Sequence, residues 1–278
     1  MLDFGRCSEE QLGAVREVVQ ALVHTASIDP QNLLLVGAQA RDILHAALGH
    51  SDQPTATSDL DLGFVVSSWT DYDAVVSALP SMGDSGIRYC VAGIPVDFMP
   101  FGDVANAAGD VRLANRQDAI SVFGFAETFN ASLELPVSRN LSIRIPSLPG
   151  FAALKLKAWI DRWAANWETK DARDIALILR WYRESPTVEE RLFDVERDVL
   201  IRYELNAALG SAFLLGVDVR EVLGPEAAAR LAVEWERSDR SALARNLSYQ
   251  NGVSPRSDAE VMVAALGAGI FLDGPGVG

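Results

Sequence analysis

The sequence predicts an α/β protein of the α+β type, in which a small mixed sheet is followed by a helical C-terminal domain. Short apolar runs separated by turn residues fill the first half, a pattern typical of strands. After Pro146-Ser147-Leu148-Pro149-Gly150 the apolar residues recur with helical spacing. The chain has 278 residues, of which 49% are hydrophobic, so both parts can bury a core. We therefore predict one domain over 1–147 and a second over 148–278.

The elements of the first domain follow from capping residues and apolar periodicity. Ser8 can cap a helix together with Gln11, and apolar residues keep helical spacing through the twenties. Gly93 lies between two short apolar runs, which indicates a hairpin. The predicted elements after the first helix are a strand over 32–36, a helix over 39–48, a strand over 60–66, a helix over 69–79, and hairpins of 87–92 with 94–99 and of 131–136 with 141–145.

The second domain is predicted to be helical over 150–166, 171–183, 187–208, 210–215, 225–237 and 256–271. Three tryptophans, Trp159, Trp163 and Trp167, follow a four-residue spacing on the first of these helices. Such a stripe is typical of a packed core, and stacking on nucleic-acid bases is the alternative.

A predicted strand–turn–helix lies at Leu33-Leu34-Leu35-Val36-Gly37-Ala38-Gln39-Ala40-Arg41-Asp42. The first backbone N–H groups of a helix have no partner within the helix, and they favour an anion. Glycine after a buried strand is also ordinary turn chemistry. The segment is consistent with a phosphate seat, and it needs support from neighbouring residues.

Three aspartates lie on predicted strands close to this turn. Asp59 and Asp61 are two residues apart, so alternation along a strand points both to one side and Leu60 and Leu62 to the core. Asp97 lies on the second strand of the hairpin. Acids inside apolar strands are costly to bury unless a cation pairs with them, and carboxylates suit a divalent metal. The sequence predicts a metal site formed by these three residues.

Four motifs in this order resemble the nucleotidyltransferases of the DNA polymerase beta superfamily, and within it the AbiEii/AbiGii (MenT-like) toxins. They span about residues 33 to 180: Val36-Gly37-Ala38-Gln39-Ala40-Arg41-Asp42, Ser58-Asp59-Leu60-Asp61, Val96-Asp97-Phe98-Met99-Pro100-Phe101, and Leu154-Lys155-Leu156-Lys157-Ala158 with Lys170-Asp171-Ala172-Arg173-Asp174-Ile175. The superfamily often has glycine or serine where Ala38 stands, so triphosphate binding would rely on backbone amides and Arg41.

The resemblance implies a Mg²⁺-dependent enzyme that transfers an NMP from an NTP to an acceptor hydroxyl, with two Mg²⁺ ions held by the three aspartates. It implies that Lys155 contacts the phosphates and that an acid on the following helix completes the catalytic set, Asp174 more firmly than Asp171. The implied catalytic residues are Asp59, Asp61, Asp97, Lys155 and Asp174. The implied nucleotide-binding residues are Gly37, Ala38, Arg41, Ser58, Lys155 and Asp171. The helical domain is expected to close the nucleotide site.

The acceptor is less well defined by the sequence. The net charge of −14 excludes a general nucleic-acid coat, but the segment from Arg139 to Arg183 holds nine Lys/Arg against four Asp/Glu, a local +5. These basic residues would lie either on solvated helix faces or on a surface that faces an anion. Resemblance to the toxins implies the 3′ end of tRNA as acceptor and a cognate antitoxin as partner. An aminoglycoside-like small molecule, a protein hydroxyl, and a catalytically silent binding module of the same fold remain open.

The expected cellular compartment is inferred from targeting and disulfide signals that the sequence does not contain. No apolar run reaches membrane-spanning length, and Met1-Leu2-Asp3-Phe4-Gly5-Arg6 has neither the basic region nor the apolar core of a signal peptide. Cys7 and Cys90 are far apart without spaced histidines, which indicates neither a zinc site nor a disulfide framework. We expect a cytoplasmic protein with no membrane partner.

Overall fold

The computed structural model describes residues 2–51, 59–114, 116–251 and 256–271. It divides the chain into two compact units, Leu2–Ser147 and the part from Leu148 onward. The first unit is built on a mixed sheet, and the second consists of helices. Among the described residues, none of the helices combines the length and apolar content needed to cross a membrane.

The first unit contains a six-stranded sheet. Its strands are β1 (Leu33–Val36), β2 (Leu60–Val66), β3 (Arg88–Val91), β4 (Ile94–Gly102), and, after a separate two-stranded ribbon of β5 (Asp110–Val111) and β6 (Ile120–Ser121), β7 (Leu133–Ser138) and β8 (Leu141–Ile145). The spatial order is β3-β4-β2-β1-β8-β7. The β2–β4 and β1–β8 pairs are parallel, and the other neighbours are antiparallel. The prediction of a mixed sheet is confirmed.

Four helices accompany this sheet: α1 (Glu9–Ala26), α2 (Gly37–Ala47), α3 (Trp69–Val76) and α4 (Phe125–Asn130). The capping box predicted at the start of α1 is present, with Ser8 and Gln11 bonding to each other's backbone. The α2 helix begins directly after β1, two residues earlier than predicted. The short α4 and the two-residue strands β5 and β6 were not predicted.

The two faces of the sheet carry different residues. Leu60, Leu62 and Phe98 are buried on one face, where Tyr72 of α3 donates a hydrogen bond to the Phe98 carbonyl at 3.1 Å. Strand alternation places Asp61 and its cross-strand neighbours on the opposite face. The predicted direction of Leu60 and Leu62 toward the core is confirmed. One face therefore supplies the core, and the other is open to polar chemistry near the start of β2.

A two-residue turn fixes the register of the β3–β4 hairpin. Ala92 and Gly93 both have positive φ, 53° and 79°, which is the type I′ geometry that suits the twist of a hairpin. With only two loop residues, Val91 pairs with Ile94 and Arg88 pairs with Asp97. The hairpin therefore determines which side chain lies opposite Asp97.

The second unit contains helices α5 (Leu148–Asn166), α6 (Lys170–Arg183), α7 (Pro186–Glu190), α8 (Arg197–Arg202), α9 (Ala207–Arg237), α10 (Arg240–Asn251) and α11 (Arg256–Phe271) among the described residues. A π-helical turn, Arg191–Val195, follows α7. The α9 run is interrupted at Gly224, whose φ of 70° and ψ of 171° are not helical.

Two predictions for this unit are wrong. The single helix predicted over 187–208 is a short helix, a π turn and a second short helix, which end where Glu204 and Leu205 adopt positive φ. The helix predicted over 210–215 extends to the break at Gly224, and α10 was not predicted. Local charge and apolar spacing indicate helical content here, but they do not determine where the backbone hydrogen-bond pattern changes.

Two glycines let α9 and α11 approach closely. A Cβ placed on Gly216 would overlap the Leu266 carbonyl oxygen and lie 2.9 Å from the Gly269 Cα. A Cβ on Gly269 would likewise overlap the Phe213 carbonyl oxygen. The two backbones are therefore in direct contact, which only glycine allows at both positions.

Candidate active site

Four neighbouring strands place one residue each in a single row across the sheet. Val36 at the end of β1 pairs with Asp61 on β2, Asp61 pairs with Asp97 on β4, and Asp97 pairs with Arg88 on β3. Directly paired residues project from the same face. Two of the three predicted aspartates are therefore adjacent, with a cationic residue beside them.

Asp61 lies against the start of α2. Gly37 has a φ of 67°, and a Cβ built on it would overlap the Asp61 carboxylate and lie 2.6 Å from its Cγ. The N-cap residue of the helix is Val36, whose side chain makes no capping hydrogen bond. The first N–H groups of α2 therefore start next to an acidic side chain, at a turn that only glycine allows without strain.

Arg88 joins the other two aspartates. Its Nε and Nη2 donate to the two oxygens of Asp97 at 2.7 and 2.9 Å, and Nη2 also donates to Asp59 Oδ2 at 2.8 Å. The fork of hydrogen bonds to Asp97, with the nearby carboxylates, raises the pKa of the Arg88 guanidinium above its usual value. In this structure the cation held by Asp59 and Asp97 is a side chain of the protein itself.

The donor set matches the chemistry of Mg²⁺, which prefers carboxylate oxygens. Asp59 and Asp97 converge on one positive group, so their oxygens already point to a common place. Within the described part of the chain, however, no set of three or more His, Cys, Asp or Glu side chains is grouped closely enough to hold a metal. The residues fit a divalent cation by chemistry, with Arg88 bonded to two of the three carboxylates.

The remaining predicted residues of the first unit lie on α2, with one exception. Ala38 follows Gly37 in the first turn. Arg41 is largely buried, with its Nε donating to Asp42 Oδ1 at 2.7 Å, so part of its hydrogen-bonding capacity serves the helix itself. Ser58 lies outside the described residues.

The helical unit brings Lys155, Asp171 and Asp174 together. Lys155 Nζ lies 2.5 Å from Asp174 Oδ2 and 3.5 Å from Asp171 Oδ1. Arg162 Nη1 donates to both oxygens of Asp171 at 2.8 and 2.7 Å. Asp171 is fully buried and Asp174 nearly so, and a buried carboxylate requires such partners. The predicted lysine and both predicted acids thus form one buried cluster, with Arg162 as a member that was not predicted.

Lys157 points away from this cluster. It donates to Asp161 at 2.5 Å and lies 3.0 Å from Glu234. Burial acts to lower the Lys157 pKa, but the bonds to these two acids outweigh it, and the pKa lies above its usual value. Lys155 and Lys157 therefore contact different acids.

The tryptophan stripe passes from core to surface. Trp159 is fully buried, and its ring stacks on Trp163 at a centroid distance of 4.9 Å. Trp163 contacts Trp167 edge-on, and Trp167 is 71% exposed. Of the three tryptophans predicted to pack in the core, Trp159 alone is fully buried.

Much of the positive charge between Arg139 and Arg183 is engaged within the unit. At least five of the nine cations have acidic partners within 4.0 Å: Lys155, Lys157, Arg162, Lys170 and Arg180. Arg144 donates to the Ser132 hydroxyl and carbonyl at 2.8 and 2.6 Å. The local +5 already subtracts the acids of the segment, and Lys157 and Arg180 have further partners outside it, Glu234 and Glu184.

Arg88 is the residue of the first site that the motifs missed. The predicted hairpin of 87–92 with 94–99 left only Gly93 between its strands, whereas the observed turn contains Ala92 and Gly93 and places position 88 opposite position 97. No signal in the sequence indicates Arg162, whose contact with Asp171 depends on how two helices pack.

Comparison with known proteins adds no relative from which a role could be transferred. No protein-family model matches the chain, and no curated protein matches it.

Proposed function

We propose that the chain is a Mg²⁺-dependent nucleotidyltransferase, which moves an NMP from an NTP to an acceptor hydroxyl. The observation that carries the proposal is the row formed by Asp61 and Asp97 in register, next to the start of α2 at Gly37. A phosphate seat and carboxylates beside it are the two features that phosphoryl transfer requires.

In this proposal the first-turn amides of α2, at Gly37 and Ala38, bind the β- and γ-phosphates, and Arg41 adds positive charge. Asp59, Asp61 and Asp97 would hold Mg²⁺. When bound, the metal would neutralise charge on the phosphates and on the attacking and leaving oxygens. The carboxylates thus orient the reacting groups as well as holding the ions.

The reaction forms a bond between the acceptor oxygen and the α-phosphorus and breaks the bond from that phosphorus to the pyrophosphate oxygen. The proton of the acceptor hydroxyl goes to a carboxylate, for which we propose Asp97. Asp97 lies on β4 directly opposite Asp61 on β2, so the sheet holds its backbone in a fixed place beside the other acid. That position suits a base that must meet a hydroxyl in line.

For the helical unit we propose that Lys155 contacts the phosphates and offsets the charge of the departing pyrophosphate, and that Asp174 and Asp171 orient it. The support is the buried cluster, in which both acids lie within 4.0 Å of the Lys155 ammonium. Contacts with two buried carboxylates hold the Lys155 ammonium in one orientation.

As acceptor we propose the 3′ end of tRNA, which would make the chain the toxin-type enzyme of a toxin–antitoxin pair. The resemblance of the motifs supports this, together with the exposed arginines of the 139–183 segment. An aminoglycoside-like molecule or a protein hydroxyl is the alternative acceptor. A silent binding module is the alternative without catalysis, and Arg88 bound to Asp59 and Asp97 is the observation that favours it.

The test incubates the protein with each labelled NTP and Mg²⁺, together with total tRNA, aminoglycosides or total protein. We expect label to move to one acceptor with the wild type and with Asp103→Asn, an exposed aspartate that serves as control. Asp61→Asn should abolish transfer, because it removes a carboxylate proposed to hold Mg²⁺, and thermal unfolding shows whether the variant is folded. Transfer that persists in Asp61→Asn contradicts the proposal, as does the absence of both transfer and Mg²⁺-dependent NTP binding.

A further inference from the structure

Arg88 is the only cation shown in contact with Asp59 and Asp97 in the described part of the first unit, and it contacts both. Three hydrogen bonds of 2.7 to 2.9 Å join it to three carboxylate oxygens. Two of them form the parallel fork that makes arginine–carboxylate pairs specific in geometry. The contact is thus a defined pair rather than a loose encounter of surface charges.

The backbone holds Arg88 in this place. The Ala92-Gly93 turn sets the pairing of β3 with β4, and Tyr89 and Val91 are buried on the opposite face of the sheet. A shift of one residue would turn these buried side chains outward, so the register is strongly determined. The backbone of Arg88 therefore stays opposite Asp97, even when its side chain changes conformation.

The pair is nevertheless open to exchange. The side chains of Arg88, Asp59 and Asp97 are 38%, 40% and 21% exposed, so water and ions reach them. Ion pairs with this exposure contribute little net stability. A guanidinium does not lose its proton in proteins, so Arg88 cannot leave by titration, and it leaves only when another cation takes the carboxylates.

We propose that Arg88 is a built-in competitor of the divalent cation, which must displace the guanidinium from Asp59 and Asp97 in order to bind. The proposal rests on the proposed function only in placing the metal at these carboxylates. A Mg²⁺ ion lies about 2.1 Å from its oxygen ligands, so an ion on the same oxygens would be at most about 5 Å from the guanidinium nitrogens. Two cations at that distance repel each other strongly.

The exchange selects for divalent ions. A monovalent ion has the charge of the guanidinium and lacks its directional hydrogen bonds, so it has no advantage over Arg88. A divalent ion has twice the charge and displaces it. The site would therefore hold its own arginine when divalent ions are scarce and a metal when they are abundant.

The test measures binding of Mn²⁺, as probe, by the loss of the electron paramagnetic resonance signal of the free ion. Two partly exposed ion pairs have to be broken in the wild type, so we expect Arg88→Gln to bind Mn²⁺ about tenfold more tightly than the wild type. Arg88→Lys keeps the positive charge but cannot form the two parallel hydrogen bonds to Asp97, and it should bind Mn²⁺ with intermediate affinity. Arg112→Gln, an exposed arginine of the same unit, should match the wild type.

Location is checked by adding Asp97→Asn to Arg88→Gln, which should remove the tight Mn²⁺ binding. Equal affinities in the wild type, Arg88→Gln and Arg88→Lys would overturn the competition while leaving the metal site in place. Absence of Mn²⁺ binding from all of these variants would overturn both the competition and the metal role in the proposed function. If Arg88→Gln does not fold, the comparison of Arg88→Lys with the wild type decides, and weaker binding by the lysine variant overturns the proposal.

Discussion

At the scale of the residue, Gly37 determines where the Asp61 carboxylate can lie. Gly37 has no side chain, and the Asp61 carboxylate occupies the space that a Cβ would fill. The positive φ of Gly37 is needed to start α2 directly after β1. Both requirements, conformation and space, are met by glycine alone.

We predict that Gly37→Ala loses nucleotide transfer and is destabilised by more than the cost of its φ. The control is Gly83→Ala, because Gly83 has a φ of 63° with nothing within 4 Å of the built Cβ. Each variant should lose about 1 to 2 kcal/mol from the left-handed conformation. Gly37→Ala should lose more, since Asp61 must move. Urea unfolding and labelled-NTP transfer measure both effects, and equal losses in the two variants would mean that Asp61 does not depend on Gly37.

The row of acids could be predicted from residues alone, because a strand has a period of two and Leu60 and Leu62 indicate which face is buried. Arg88 was missed because the predicted hairpin had Gly93 alone in its turn, whereas the observed turn of Ala92 and Gly93 pairs Arg88 with Asp97. The contacts of Lys155 with Asp171 and Asp174 could not be worked out from spacing. They depend on the packing of α5 on α6, and for that pair only the resemblance gave a reason to expect proximity.

At the scale of the element, α5 presents two lysines that serve different partners. Lys155 meets the buried acids of α6, whereas Lys157 meets Asp161 and Glu234, each about 39% exposed. Positions two apart on a helix point roughly 200° from each other, so one residue cannot replace the other. The helix thus separates an interior ion pair from a peripheral one.

We predict that Lys155→Ala lowers transfer strongly and destabilises the protein by about 3 kcal/mol, because it removes the ammonium that lies against the buried Asp174 carboxylate. Lys157→Ala should cost about 1 kcal/mol and leave transfer nearly unchanged, because its partners are solvated. Urea unfolding gives the stability, and transfer is measured well below the unfolding midpoint. Equal loss of transfer in the two variants would remove Lys155 from the proposed phosphate contacts.

The ends of a helix or strand could be predicted where residues next to them in the sequence determine them. The β2 strand lies over 60–66 as predicted, because its alternation ends at the Ser67-Ser68 cap of α3. The 187–208 region was not predictable, because the π turn there arises from a hydrogen bond of the Glu196 N–H to the Arg191 carbonyl, at 2.6 Å. Apolar spacing does not distinguish that bond from the ordinary helical one.

At the scale of the whole molecule, the net charge of −14 opposes the binding of a polyanion such as RNA. The segment 139–183 is the exception, and at least five of its cations are already paired. Arg139, Arg173 and Arg183 are exposed and can meet a polyanion without unfolding the chain. Any complex with RNA would therefore rest on few contacts.

We predict weak tRNA binding with a shallow salt dependence, because each phosphate contact adds only about 0.7 to 0.9 to the salt exponent. Arg139→Glu, Arg173→Glu and Arg183→Glu should each weaken binding. Arg197→Glu, an exposed arginine outside the segment, makes the same change in net charge and should weaken it less. Filter binding over a range of salt concentrations measures both. Binding that ignores salt and all three reversals would favour a small-molecule or protein acceptor.

The glycine contact of α9 with α11 also constrains the order in which the second unit can form. Gly216 and Gly269 meet backbone to backbone, and more than fifty residues separate them in the chain. A nascent chain on the ribosome that has not yet delivered α11 lacks the backbone that lies against Gly216 of α9. The second unit therefore cannot complete its packing until α11 has been synthesised.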